Sequence, residues 1–333
     1  MFYDEIIGQE KIISHMKNAK KNDRVSHAYI ICGEKGSGKK LLAKSFAASL
    51  LCEESGDSAC GKCKSCKQVE SGNHPDLRYV THEKPNLIAV DEIRDELNDD
   101  ILIKPYSSKY KIYIIDEAEK MNRQAQNAML KTIEEPPEYA VIMLLANNEY
   151  SLLQTILSRC ITLNVAPVDD KKIVDFLKTR YGVSEYMAGI AAGFSDGNVG
   201  RAISYATSDE FTTEKNECIK LVKGLDEKDA GEVYSAVKQM SGRGFKDSDR
   251  ILSKLSLIKM WYKDVLVVRL TGSTEHVIFK TESEEIKRTA ALLAPDVITK
   301  KLDAIDLFKR RIKSNVNLEA SLMVLMLELR SKK

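Results

Sequence analysis

Four cysteines, Cys52, Cys60, Cys63 and Cys66, follow a glycine-rich loop, Gly33-Glu-Lys-Gly-Ser-Gly-Lys-Lys40. The cysteines place four sulfurs within 15 residues. Tetrahedral Zn²⁺ takes four thiolates at about 2.3 Å, and C-x-x-C turns supply them in pairs. Gly56, Ser58, Gly61 and Ser65 leave room for tight turns. A redox pair or free thiols are the competing readings, but a redox pair uses two cysteines and leaves two unexplained. A closed four-thiolate site has no open position, so a metal here is structural. Cys32, Cys160 and Cys218 read as ordinary small apolar residues.

The glycine-rich loop reads as a phosphate cradle with one altered position. The pattern G-x-x-x-x-G-K-[ST] turns backbone N–H groups toward phosphate oxygens at a helix N-terminus, and its lysine reaches the β- and γ-phosphates. Its final hydroxyl holds Mg²⁺. Gly33, Gly36, Gly38 and Lys39 supply the loop, but Lys40 stands where the hydroxyl belongs. An ammonium cannot ligate a cation and repels one. Phosphate binding can survive this change, whereas Mg²⁺-dependent hydrolysis of ATP should suffer. A plain glycine turn between strand and helix is the competing reading.

Two further groups fit phosphoryl chemistry. Asp116 and Glu117 end an apolar run, Lys111-Ile-Tyr-Ile-Ile-Asp116. In P-loop ATPases an acid there orders the Mg²⁺ shell. Arg159 follows a short amphipathic stretch, Leu152 to Leu157. An arginine so presented can reach a neighbouring subunit's γ-phosphate, or simply form a surface salt bridge.

Strands and helices must position these groups. Residues 28–33 form a buried strand feeding the loop, and residues 39–51 repeat apolar positions at helical spacing. Residues 111–116 and 140–146 read as further strands. A helix is expected from about Asn122 to Glu135, stopped by Pro136-Pro137. Alternating strands and helices imply a parallel sheet covered on both faces. After Pro167 helical periods dominate, with long examples at 251–270 and 318–329. Leu318, Leu322, Leu325 and Met326 make a stripe that suits core packing and subunit contact equally.

The chain has 333 residues, long for a single core, and a net charge of +2. That charge implies no global attraction to DNA or membrane. A local patch, Lys20-Lys21-Arg24 or Lys62-Lys64-Lys67, could touch nucleic acid, although solvated lysines balanced by acids explain both. The N-terminus lacks a basic start followed by an apolar core, so no signal peptide is expected. The longest apolar run, Tyr139 to Ala146, is far short of the roughly 18 residues needed to span a bilayer. A cytoplasmic protein is expected, in which seven cysteines serve as metal thiolates and free thiols.

These residues resemble the delta-prime family of bacterial DNA polymerase III subunits, clamp-loader components of the AAA+ superfamily. The resemblance is strongest over residues 5–207. It is carried by Ile7-Gly-Gln-Glu10, Ser26-His-Ala-Tyr29, the phosphate loop, the four cysteines, Gly72-Asn-His-Pro-Asp76, Val90-Asp-Glu-Ile-Arg94, Leu130-Lys-Thr-Ile-Glu-Glu-Pro-Pro137 and Ser158-Arg-Cys160. It implies an α/β P-loop AAA+ core with a parallel sheet, followed by a small helical lid and an all-α C-terminal collar domain. The boundaries expected are 1–166 for the core with its zinc-binding insert at 52–66, 167–207 for the lid and 208–333 for the collar. The segment 314–322 resembles the helix that packs the ring.

The resemblance also implies a stator in a hetero-pentameric ring with gamma/tau and delta subunits, which loads the sliding clamp onto primed DNA. Arg159 would then complete the neighbouring motor's ATP site. Asn147 falls where a polar residue often senses the γ-phosphate. A nucleotide-sensing arginine often lies in the segment matching Gly197 to Ala202, but Gly200 occupies its usual place and Arg201 comes one position later. Lys40 and the absence of a long tau-like extension after residue 333 favour delta-prime. Asp116 and Glu117 keep open the alternative of an active gamma/tau-like motor. A P-loop small-molecule kinase is a third reading, disfavoured because the helical half offers no evident acceptor site.

Overall fold

The computed structural model describes residues 2–54, 56–80, 87–225, 228–241, 248–311 and 318–330. The chain divides into two compact units. The first holds residues 1–173 together with 197–201, and the second holds 174–196 with 202–333.

The first unit is built on a five-stranded sheet: β1 (Ala28–Cys32), β2 (Leu77–Val80), β3 (Lys111–Ile115), β4 (Ala140–Ala146) and β5 (Ile161–Asn164). Their order is β2-β3-β4-β1-β5, and every pairing is parallel. β1, β3 and β4 are buried at every position. This explains their unbroken apolar sequences, since parallel strands covered on both faces need no polar side. Helices α1 (Glu10–Lys21), α2 (Lys39–Leu51) and α3 (Lys64–Ser71) follow the same unit. The sheet has apolar clusters on both faces, one with Phe46, Ile31 and Met143, the other with Ile30, Ile115 and Met129. The chain thus has the expected α/β core, a parallel sheet with the glycine-rich loop between β1 and α2.

The topology places chemistry at one edge. β1 lies between β4 and β5: the chain leaves β1 for β2 at the far edge on one side, and crosses from β4 over β1 to reach β5 on the other. Open α/β sheets bind ligands in the crevice that such a reversal opens at the strands' carboxyl ends. β1 feeds the phosphate loop there, β3 delivers Asp116, and β4 delivers Asn147.

The expected helix 122–135 is two short ones, Arg123–Ala128 and Leu130–Glu134, separated at Met129. Asn98 causes the break. Its Nδ2 donates to the Ala128 carbonyl at 3.0 Å, and its Oδ1 accepts from Thr132 Oγ1 at 2.7 Å. A side chain inserted into the carbonyl ladder interrupts a helix at that point.

The second unit is helical among its described residues. Helices span Glu185–Phe194, Asp209–Gly224, Ala230–Ser241, Ser248–Thr271, Ser283–Leu292, Pro295–Arg311 and Leu318–Arg330. Trp261, Phe279 and Ile258 lie in its core. Leu318, Leu322, Leu325 and Met326 are buried in the same core, so this stripe packs inward. Residues 314–317 of the expected ring-packing segment lie outside the described residues. No helix among the described residues is long and apolar enough to cross a membrane.

Candidate functional site

The phosphate loop requires backbone shapes that side chains resist. Gly36 and Gly38 have φ of +88° and +95°. Left-handed backbone costs a residue with a Cβ about 1–2 kcal/mol, so glycine is the natural occupant. Gly38 caps α2, whose first turn opens onto a cleft of about 340 Å³ lined by Lys35, Gly36, Lys39, Lys40, Asp116 and Asn147, among others. The sequence-selected loop, acids and Asn147 therefore converge on one cleft.

Lys39 is nearly fully buried, and burial pushes its ammonium below the ordinary lysine range while Glu119 and Asp116 oppose that shift. Its Nζ donates to the carbonyls of Gly33 (2.5 Å) and Glu34 (3.1 Å) and to Asn147 Oδ1 (3.1 Å). Asn147 in turn donates through its backbone N and Nδ2 to Glu119. Glu119 was missed from the sequence, although it lies three residues beyond Asp116 in the same acidic turn. Glu117 has φ of +52° and turns its carboxylate onto Lys120 at 2.5 Å.

Lys40 answers the question posed by the altered motif. Its Nζ lies 3.3 Å from Asp116 Oδ2 and 5.9 Å from the centre of the Tyr79 ring. The residues present do not fit a Mg²⁺ ion in the usual P-loop manner. The hydroxyl ligand is missing, and an ammonium already neutralises the acid that would order the metal's shell.

A second departure lies at Gly200. Residues 197–201 belong to the first unit, and the Gly200 N–H donates to the Gly36 carbonyl at 2.9 Å. A Cβ on Gly200 would lie 2.6 Å from that oxygen, so no arginine fits there. Asn198 Nδ2 donates to the Lys35 carbonyl at 2.9 Å, and Arg201 reaches Glu34 at 2.8 Å. These residues brace the phosphate loop, and Arg201 is committed to the loop's own carboxylate.

Arg159 does not appear among the described residues lining the cleft. It follows the short helix Gln154–Leu157, is partly exposed, and contacts Glu134 at 2.9 Å and the Thr155 carbonyl at 3.0 Å.

The four cysteine sulfurs lie within 4.8 Å of one another, and those of Cys60 and Cys66 are 3.9 Å apart. Four sulfurs around tetrahedral zinc sit about 3.8 Å from each other. Backbone N–H groups already point at them. Lys62 and Cys63 donate to Cys60 at 3.4 and 3.3 Å, and Cys66 donates to Cys63 at 3.3 Å. Those N–H groups lower the Cys60 thiol to about 7. The cluster therefore fits a structural Zn²⁺. Burial pushes the Cys66 thiol up, as it does Cys32 (to about 11) and Cys160 and Cys218 (to about 12), so the convergence of the four sulfurs and not thiol acidity sets the cluster apart.

The Asn73-His-Pro-Asp76 segment supports the cysteine cluster. His74 Nδ1 accepts from the Asp76 backbone N–H at 3.1 Å, which leaves Nε2 protonated to donate to Ser65 Oγ at 2.9 Å. Ser65 then donates to the Leu51 carbonyl at 2.6 Å, tying α3 to the end of α2. The buried Asp76 carboxylate accepts from the backbone of Tyr106, Ser107 and Ser108 and from the Ser107 hydroxyl. Burial alone would raise its pKa, but these donors outweigh it and hold the group below the usual range.

Comparison with known proteins accords with this architecture. A family model described as "DNA polymerase III, delta subunit" matches residues 8–169. The DNA polymerase III subunit delta' of Bacillus subtilis is 32% identical over 323 residues, covering 96% of each chain. The subunit tau of the same organism is 29% identical, covering 86% of this chain and 54% of that protein. A solved gamma-subunit-related protein from Thermotoga maritima aligns over 96% of this chain and 99% of that one at 18% identity, with a TM-score of 0.39, and the assignment does not rest on it. Near-complete coverage of both chains at this identity shows that the protein belongs to the delta' family of DNA polymerase III subunits.

Proposed function

We propose that the chain is the delta-prime stator of a clamp loader. It binds gamma/tau and delta subunits in a hetero-pentameric ring, helps load the sliding clamp onto primed DNA, and turns over little ATP itself. The core, lid and collar boundaries given above, a cytoplasmic location and a structural zinc at Cys52, Cys60, Cys63 and Cys66 belong to the same reading.

The observation that carries it is the Lys40–Asp116 pair. An ATPase motor needs a divalent cation between its P-loop hydroxyl and the acid at the end of β3. Here an ammonium is held 3.3 Å from that acid. Arg159 supports the second half of the reading. It stands outside its own cleft, partly exposed, restrained by a surface ion pair of the kind worth about 0–1 kcal/mol and by exposed hydrogen bonds to the Thr155 carbonyl and Ser158 Oγ. An arginine so weakly held is free to turn toward a neighbour's γ-phosphate.

The test is reconstitution of the full ring with Arg159→Ala. DNA-stimulated ATP hydrolysis by the ring should fall sharply, and unchanged hydrolysis would refute the trans role. A second reading, an active gamma/tau-like motor, is favoured by Asp116 and Glu117 at the carboxyl edge of the sheet. Lys40→Thr separates the two. A large gain in hydrolysis by the isolated chain supports an impaired site, whereas substantial wild-type turnover with no gain supports a motor.

A further inference from the structure

Two helix pairs in the second unit leave a gap between them. The helix Asp209–Gly224 packs chiefly against Ser248–Thr271, and Ala230–Ser241 packs chiefly against Leu318–Arg330. The gap is a cavity of about 460 Å³. Pockets that take ligands run from roughly 300 to 1,000 Å³. Its floor is apolar: Cys218 and Met240 are buried, with Leu221 and Ala236 beside them. Its charged lining is three lysines, Lys220, Lys228 and Lys254, against one acid, Glu217. Lys254 is only 5% exposed, and its Nζ lies 3.2 Å from Glu217 Oε2, so this acid is already spent on a buried ammonium. Lys220 and Lys228 have no carboxylate partner among the described residues. Lys228 runs past Gly224, where an added Cβ would stand 4.0 Å from its Cε. The cavity therefore pairs an apolar floor with surplus positive charge.

We propose that this cavity docks an acidic amphipathic peptide segment of another protein. Apolar side chains of the segment enter the floor, and its carboxylates meet Lys220 and Lys228. Amphipathic helices bind grooves between helices in this way, with anchors spaced along one face. Met240 suits the floor, because an unbranched thioether adapts to side chains of different shape. Apolar burial supplies affinity, while the lysines select the sign of the partner's charge and speed its approach. Nucleic acid fits the same charge less well. Single strands bind by stacking bases on aromatic side chains, and the lining holds none. The Glu217 side chain is 46% exposed and would stand against a phosphate backbone.

The test uses the full chain with ¹³C-labelled methionine methyls, the Met240 resonance being assigned by its loss in Met240→Leu. The probes are short synthetic peptides with leucine, methionine or phenylalanine at helical spacing and glutamate elsewhere. They should shift the Met240 signal, and matched peptides with glutamine in place of glutamate should bind about tenfold or more weakly. Lys220→Glu combined with Lys228→Glu, checked for an unchanged melting profile, should weaken the acidic peptides by about tenfold or more. If that variant does not fold, the glutamate and glutamine peptides on the wild type decide alone. Equal binding of the two peptide sets overturns the proposal, as does an unmoved Met240 signal with every peptide. A stronger response to single-stranded oligothymidylate than to any peptide overturns it in favour of nucleic acid. Each of these failures leaves the stator reading standing, because that reading is judged by Arg159→Ala in the assembled ring.

Discussion

Arg159 Nη2 lies 2.9 Å from Glu134 Oε1, which ends the helix Leu130–Glu134. Both side chains are partly exposed. The pair holds the arginine in one place at low cost. Glu134→Gln should therefore change stability by less than about 1 kcal/mol in thermal unfolding. In a reconstituted ring it should leave DNA-stimulated ATP hydrolysis intact, whereas Arg159→Ala should lower it by about 10³-fold, the lower end of what arginine fingers supply. Arg159→Lys should also fail, because an ammonium lacks the planar fork that grips phosphate oxygens. Equal losses from Glu134→Gln and Arg159→Ala would mean that the pair itself, and not a released arginine, is what the ring needs.

Gly200 is fixed by the loop it touches. A methyl group there would lie 2.6 Å from the Gly36 carbonyl oxygen and 2.9 Å from Gly36 Cα, both backbone atoms with little room to yield. Gly200→Ala should cost about 1–3 kcal/mol through the forced displacement. Gly189 lies within the helix Glu185–Phe194, and a Cβ there meets nothing within 4 Å. Gly189→Ala should stabilise by about 0.5–1 kcal/mol, since it removes backbone entropy from the unfolded chain. Chemical denaturation of the two variants checks both signs at once.

Asp76 gives a pH dependence with a definite direction. Four donors hold its folded carboxyl below the ordinary carboxylate range. The stabilisation is therefore fully present above an unfolded-state value of about 4 and is lost as pH falls through the lower folded value. Asp76→Asn retains one acceptor oxygen and loses the charge, so it should cost about 2–3 kcal/mol at neutral pH. Its unfolding free energy should also fall less steeply than the wild type's below about pH 4. A variant with wild-type stability and an unchanged acid limb would remove Asp76 from this role.

How much of this was legible in the sequence follows from burial. β1, β3 and β4 announce themselves because both faces are covered and every residue is apolar or nearly so. β2, Leu-Arg-Tyr-Val, and β5, Ile-Thr-Leu-Asn, are edge strands with partly exposed positions, and their mixed composition resembles loop. The break at Met129 depends on Asn98, some thirty residues upstream, which no local period reveals. The phosphate loop, both acids and the cysteine cluster were readable because their chemistry demands particular residue types at fixed spacing. Gly200 was visible as a departure from a pattern, but its cause is a backbone contact with Gly36 that exists only in three dimensions. His74 and Asp76 were visible as a motif, and only the structure shows that they tie α2, α3 and the 106–108 turn together.

The zinc expectation separates cleanly from the thiols that surround it. Cys52, Cys60, Cys63 and Cys66 converge to within 4.8 Å, and Cys160 is not part of that group. Elemental analysis of the purified chain should find one zinc per molecule, unaffected by Cys160→Ser and lost in Cys63→Ser. The loss should be felt in folding, because ligand binding energy at a structural site is folding energy. Cys63 also caps α3 by accepting the Cys66 N–H, so its sulfur serves the helix and the metal together. Through Ser65 and His74 the knuckle is coupled to the end of α2, the helix that carries Lys39 and Lys40. Chelation should therefore lower the thermal midpoint of the whole first unit and not merely loosen residues 52–66. If a strong chelator removes zinc and leaves the melting curve unmoved, the cluster is an ornament on a core that holds itself together.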